Sequence, residues 1–132
     1  MKKKINDKYV SMVWQTLSED PGMSNSILNL NMNNPETIST IVNERIFPGV
    51  NSFPEFIKDR IKNSLKYAIN VYDEKKLTRL YESAIPEIDL PTNISVKDFY
   101  IIIWKSLYNN SDYLIENESE YKEIDFSELY SK

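Results

Sequence analysis

Ser95-Val96-Lys97-Asp98-Phe99-Tyr100-Ile101-Ile102-Ile103-Trp104 is the stretch whose reading decides the fold class. Its β-branched and aromatic residues suit a buried strand as well as a buried helix, and periodicity does not separate the two over so few positions. Three features favour helix. Ser95 is placed to cap the first turn. Lys105, Leu107 and Tyr108 extend the pattern to Asn109, and no second strand of comparable strength exists in the sequence. A helix over about residues 96–108, apolar on nearly every side, belongs at the centre with others packed around it.

The punctuation on either side supports a helical chain. Asp7 can cap a helix in which Val10, Val13, Trp14 and Leu17 share a face, and Asp20-Pro21-Gly22 stops it. A short, weak segment follows at Ser26–Leu30. Asn34-Pro35-Glu36 is a start signal, with a capping side chain and proline at the first helical position, and Pro48-Gly49 reads as the end of that element. Ser52-Phe53-Pro54-Glu55 reads as a capping box. It opens the longest helix, whose apolar side carries Ile57, Ile61, Leu65, Ala68 and Ile69 and whose polar side carries Lys58, Lys62 and Lys66. Asp73 caps a further helix bearing Leu77, Leu80, Tyr81 and Ala84, and Pro86 and Pro91 bracket the loop after it. The expected fold is all-α: one domain over residues 1–132, a compact bundle of six to seven helices around the central apolar helix, with an acidic, aromatic-rich segment at 112–132. No internal repeat or heptad seam is visible.

Composition removes whole classes of chemistry. The 132 residues include no histidine, no cysteine and two glycines. The imidazole base, the thiolate nucleophile and the usual zinc ligands are therefore missing, as are glycine-rich phosphate loops. Folding rests on core packing, without disulfides. Met-Lys-Lys-Lys is followed by Ile5, Asn6, Asp7 and Lys8 rather than an apolar run, and nowhere do about 18 apolar residues follow one another. These observations predict a soluble cytoplasmic protein that does not enter a membrane.

Charge is distributed unevenly. Residues 1–81 carry 12 basic and 9 acidic groups, whereas residues 82–128 carry 3 basic and 11 acidic ones. Within 112–132, seven acids face two lysines, with Tyr113, Leu114, Ile115, Tyr121, Ile124, Phe126, Leu129 and Tyr130 threaded among them. Short helices or turns that dock on the body and turn their acids outward are expected there. Such a surface repels nucleic acid and attracts cationic proteins. The interface candidates are Glu116, Glu118, Glu120, Glu123, Asp125 and Glu128, with Tyr113 and Tyr121 as aromatic anchors and Glu87 and Asp89 as further acids. Carboxylates steer encounter while a ring supplies desolvated contact.

Other readings of the same residues are weaker. A carboxylate pair for glycoside hydrolysis is arithmetically easy among 20 acids and so uninformative. Glu116-Asn117-Glu118-Ser119-Glu120 alternates oxygen-bearing side chains but lacks the spacing and turn glycine of an EF-hand loop. Four lysines in the first eight residues read as a frayed, solubilising terminus. Lys58, Lys62 and Lys66 form a basic stripe with Arg60 on a neighbouring face, yet a sequence pI near 4.9 argues against a helix-turn-helix DNA reader. No catalytic residue, metal ligand or cofactor is assigned.

In its cysteine-free composition, its abundant Asn, Lys and Ile, its Ile101-Ile102-Ile103-Trp104 core and its acidic-aromatic run from Tyr113 to Glu128, the chain resembles the immunity proteins of bacterial contact-dependent growth inhibition systems. More loosely it is similar to bacteriocin immunity proteins. The resemblance implies a cytoplasmic protein that binds and neutralises the toxin domain of its own system, often a nuclease; no residue role is carried over from it. Two rivals make different demands. A small carboxylate enzyme requires a deep cleft, and a helical regulator or scaffold subunit requires a large apolar surface patch.

Overall fold

Short polar side chains start most of the helices, each satisfying an amide that the first turn leaves without a partner. The computed structural model describes residues 2–18, 31–86 and 88–132. Strand β1 (Lys3–Ile5) leads into α1 (Asp7–Gln15), which Asn6 rather than Asp7 caps, accepting from the Lys8 amide at 2.8 Å. Helix α2 starts at Pro35 under Asn34, and it has three parts: Pro35–Ile41, a π-helical stretch Val42–Ile46, and Phe47–Asn51. Then come α3 (Glu55–Val71), α4 (Glu74–Glu82), capped by Asp73, and α5 (Val96–Leu107), capped by Ser95. Strand β2 (Tyr121–Glu123) is flanked by single 3-10 turns at Glu118–Glu120 and Phe126–Glu128.

The molecule is mostly helical, and the ambiguous block at 95–104 is a helix. All-α is nevertheless corrected, because β1 and β2 pair in parallel with Lys3 opposite Tyr121, Lys4 opposite Lys122 and Ile5 opposite Glu123. Three-residue strands from opposite ends of a chain carry no alternation long enough to read. The count of six to seven helices is corrected too. The described residues hold five helical rods, and the acidic segment, expected to form short helices or turns, forms single 3-10 turns. The segment Ser26–Leu30 lies outside the described residues.

Pro48-Gly49 does not end α2. The π-helical turn shifts the hydrogen-bond ladder just before Pro48, so the missing amide falls at the start of a new α-helical segment, where it costs little. Gly49 serves packing: a Cβ built there would meet Thr16 Cγ2 and lie 3.2 Å from its Cβ. Nor is Ser52 the cap of α3. Its hydroxyl donates back to the Gly49 carbonyl at 2.6 Å, and the Pro54 carbonyl receives the first amides of α3.

The most enclosed helix is α1. Six consecutive residues, Tyr9 to Trp14, are buried, which covers every side of the rod. Trp14 stacks on Phe99 (5.5 Å between centroids) and meets Tyr100 edge-on (4.9 Å), while its Nε1 donates to the Tyr100 hydroxyl at 3.1 Å. Helix α5, expected at the centre, lies against the body. It leaves Ile102 36% exposed, along with Lys97, Asp98, Lys105 and Ser106. One core cluster runs from Tyr9 to Leu129 and so includes both ends of the chain.

Candidate protein interface

Residues 111–132 form a strap that crosses α3 antiparallel to it, and a few polar side chains hold it down. Trp104 Nε1 donates to the Ser111 carbonyl at 2.7 Å. Asn70 donates from Nδ2 to the Tyr113 carbonyl at 2.6 Å and accepts from the Ile115 amide at 3.4 Å, pairing with backbone as a neighbouring strand would. Further along, Asn6 Nδ2 donates to the Ile124 carbonyl at 2.7 Å, and the Ile124 amide donates to the Ile5 carbonyl at 2.9 Å. Near the end, Arg60 Nη1 lies 3.1 Å from the Tyr9 hydroxyl and 3.3 Å from the carbonyls of Glu128 and Leu129. The Tyr9 hydroxyl donates to that same Leu129 carbonyl.

Arg60 is 6% exposed, and carbonyl dipoles replace the carboxylate that a buried guanidinium usually finds. Sequence reasoning placed Arg60 beside the lysine stripe and missed this role. The signal was its spacing, three residues after Ile57 and four before Ser64 on the buried side of α3.

Tyr121, Ile124 and Leu129 are the strap's buried apolar contacts, and the side chains between them face water. Glu116, Glu118, Glu120, Glu123, Asp125 and Glu128 are accordingly all exposed. Among the described residues none of them forms an ion pair; the one such pair joins Lys58 to Glu55 at 2.6 Å on α3. Glu128 bends back to accept from the Asp125 amide at 3.1 Å. The field of these acids reaches the tyrosines beneath. Burial raises the pKa of the Tyr67 hydroxyl, with Glu118 and Glu123 adding to the shift. Tyr72 is raised in the same way, by burial first and then by Glu123, Asp7 and Tyr67.

Lysines border one side of this surface. Lys3 and Lys4, expected in a frayed terminus, are instead fixed in β1 beside the strap. Lys3 and Lys66 share an open groove of about 510 Å³ with Asp112, Glu116, Glu120 and Tyr121; among the described residues neither lysine forms an ion pair with these acids, and Lys3 Nζ lies 5.3 Å from the centre of the Tyr121 ring. Lys62, from the basic stripe, lies over the rings of Tyr108 (5.0 Å) and Trp104 (5.9 Å).

Of the two rings expected as aromatic anchors, one is buried and one half-buried. Tyr121 is 8% exposed, packed on Tyr67 with 5.4 Å between centroids, so it holds the strap down and offers no surface ring. Tyr113 is half-buried, with Lys105 Nζ 5.9 Å from its ring. Phe126 and Tyr130 stand out instead, 70% and 66% exposed, on either side of buried Leu129. Irregular backbone has no period, so which rings face inward was not readable from order alone.

The second acidic group is elsewhere. The Ser18–Pro86 bridge places the loop after α4 at the C-terminal end of α1, and Asp89 acts there on the Tyr81 hydroxyl. The strap passes the other end, at Asn6 and Tyr9. Asp89 is exposed but not joined to the strap acids, and Glu87 lies outside the described residues. Among the described residues no three acids cluster closely enough to hold a metal ion, and no helix is long and apolar enough to cross a membrane.

No family model matches the chain, and neither a curated protein nor a solved structure is significantly similar to it.

Proposed function

We propose that this is a cytoplasmic immunity-type inhibitor: it binds a cationic toxin domain, a nuclease of its own system, and covers the phosphate-binding cleft with its acidic strap. The observation that carries the reading is the set of six exposed carboxylates along one docked segment, with no ion pair to any of them among the described residues. A nuclease cleft is cationic because it must hold phosphate, so it is complementary to such a strip. Phe126 and Tyr130 supply the apolar contact that charge alone does not. On this reading the chain itself has no catalytic role and needs no cofactor.

The test is affinity capture from the native host, at low and at high salt, with wild type and with Glu118→Lys/Glu120→Lys. The expected result is a basic protein with nuclease activity that wild type holds at low salt, releases at high salt and inhibits when added back. Charge reversal should slow its association at least tenfold. A partner held equally by both proteins at both salt concentrations overturns the reading.

A further inference from the structure

Ile85 is the most exposed large hydrophobic side chain among the described residues, at 74%, and its backbone is left-handed, with φ 53°. It takes the left-handed position of the turn that follows α4, three residues past Glu82, whose carbonyl accepts from its amide at 3.0 Å. Glycine or asparagine ordinarily takes that position, because a Cβ, and above all a branched one, crowds the following carbonyl. The same chain obeys the rule at the end of α5, where the left-handed residues are Asn109 and Asn110. At Ile85 the strain is accepted and the side chain buries almost nothing in return. A strained residue persists only where something holds or uses it, and among the described residues Ile85 gains little packing.

We propose that Ile85 is the anchor of a second docking site, for a protein partner that offers an apolar socket rimmed by lysine and arginine. The surroundings fix the sign of the rim. Among the described residues that line the hollow beside Ile85 none is a cation, while Glu82 and Asp89 are acids. Glu82 and Asp89 are exposed, and they line an open hollow of about 430 Å³ together with Ile85, Pro86 and Leu90. Isoleucine flanked by unpaired acids fits a cationic socket and is repelled by an acidic one. The site lies at the C-terminal end of α1, away from the strap, and stands or falls independently of the inhibitor reading.

Two measurements test it. Ile85→Gly and Ile85→Asn relieve the backbone, so both should melt about 3 °C or more above wild type. A random dodecapeptide display library is then panned on immobilised wild type and counter-selected on Ile85→Asn. The expected clones combine aliphatic or aromatic residues with Lys and Arg. They bind Ile85→Asn and Glu82→Lys at least tenfold more weakly, and they bind Glu118→Lys/Glu120→Lys as they bind wild type. Lower melting temperatures for both Ile85 variants show that the side chain serves the fold, and they overturn the proposal. So do a panning that yields no Ile85-dependent clones, clones without cationic residues, and a wild-type self-association that Ile85→Asn abolishes.

Discussion

Arg60 Nη1 lies 3.3 Å from the carbonyl oxygen of Leu129, joining the middle of α3 to a backbone group sixty-nine residues further along the chain. The same nitrogen reaches the Tyr9 hydroxyl, so one buried guanidinium ties α1, α3 and the strap together. Arg60→Met keeps the volume but leaves two carbonyls and a hydroxyl without that donor. It should cost about 2–4 kcal/mol in denaturant unfolding. Hydrogen exchange at the Leu129 and Ser131 amides should quicken more than at core amides of α1. Unchanged exchange along the strap would show that Arg60 does not hold it.

Gly49 and Thr16 form a second pair with a defined outcome. Gly49→Ala drives a methyl group into the Thr16 side chain and should destabilise by about 1–3 kcal/mol. Thr16→Ser removes the obstructing methyl and keeps the hydroxyl that donates to the Val13 carbonyl. In a double-mutant cycle the serine should recover most of the loss. Simple additivity would place the cost of the alanine elsewhere.

The strap's aromatic residues should divide by burial. Tyr121→Ala removes a packed ring and should cost about 3 kcal/mol. Phe126→Ala and Tyr130→Ala should change stability by less than about 0.5 kcal/mol, because both rings stand in water. If the strap is the binding surface, the exposed pair should weaken partner binding while leaving the melting temperature alone. Calorimetric unfolding beside a binding titration separates the two effects.

Buried tyrosines set an alkaline limit. Burial raises the hydroxyl pKa of Tyr72, Tyr81, Tyr100 and Tyr108 above the ordinary value. The unfolded chain therefore releases these protons near pH 10 while the native state keeps them, and stability falls as pH rises. It should be complete below about pH 10 and decline steadily above it, as read from the melting temperature across the alkaline range.

Tyr108 should be the exception in its group. Its hydroxyl is buried with no hydrogen-bond partner among the described residues. Tyr108→Phe removes a polar group that makes no bond and should raise stability by about 1 kcal/mol. A loss of stability would point to a bridging water at that oxygen.

What could be read from the sequence follows the range of the forces involved. Asn34, Asp73 and Ser95 announced their helices because a cap acts within three residues. The outward acids of the strap were equally legible, since unpaired carboxylates go to water. Pro48-Gly49 misled because the π-turn before it cannot be seen in composition. β1 was invisible for a different reason: its partner lies 118 residues away and the two strands share only three positions. Tyr121 and Phe126 could not be sorted into inner and outer rings, because the strap follows no regular repeat.

The pairing of β1 with β2 also has a consequence for biosynthesis. During synthesis β1 must wait for 118 further residues before its neighbour exists. Tyr9 and Arg60 likewise stay without their carbonyl acceptors until Glu128 and Leu129 have been made and can fold back. Contacts of such long sequence separation slow folding. A nascent chain therefore leaves the strap side of α3 uncovered until residues 111–132 have been made, and the carboxylate surface is assembled in the same step that covers it.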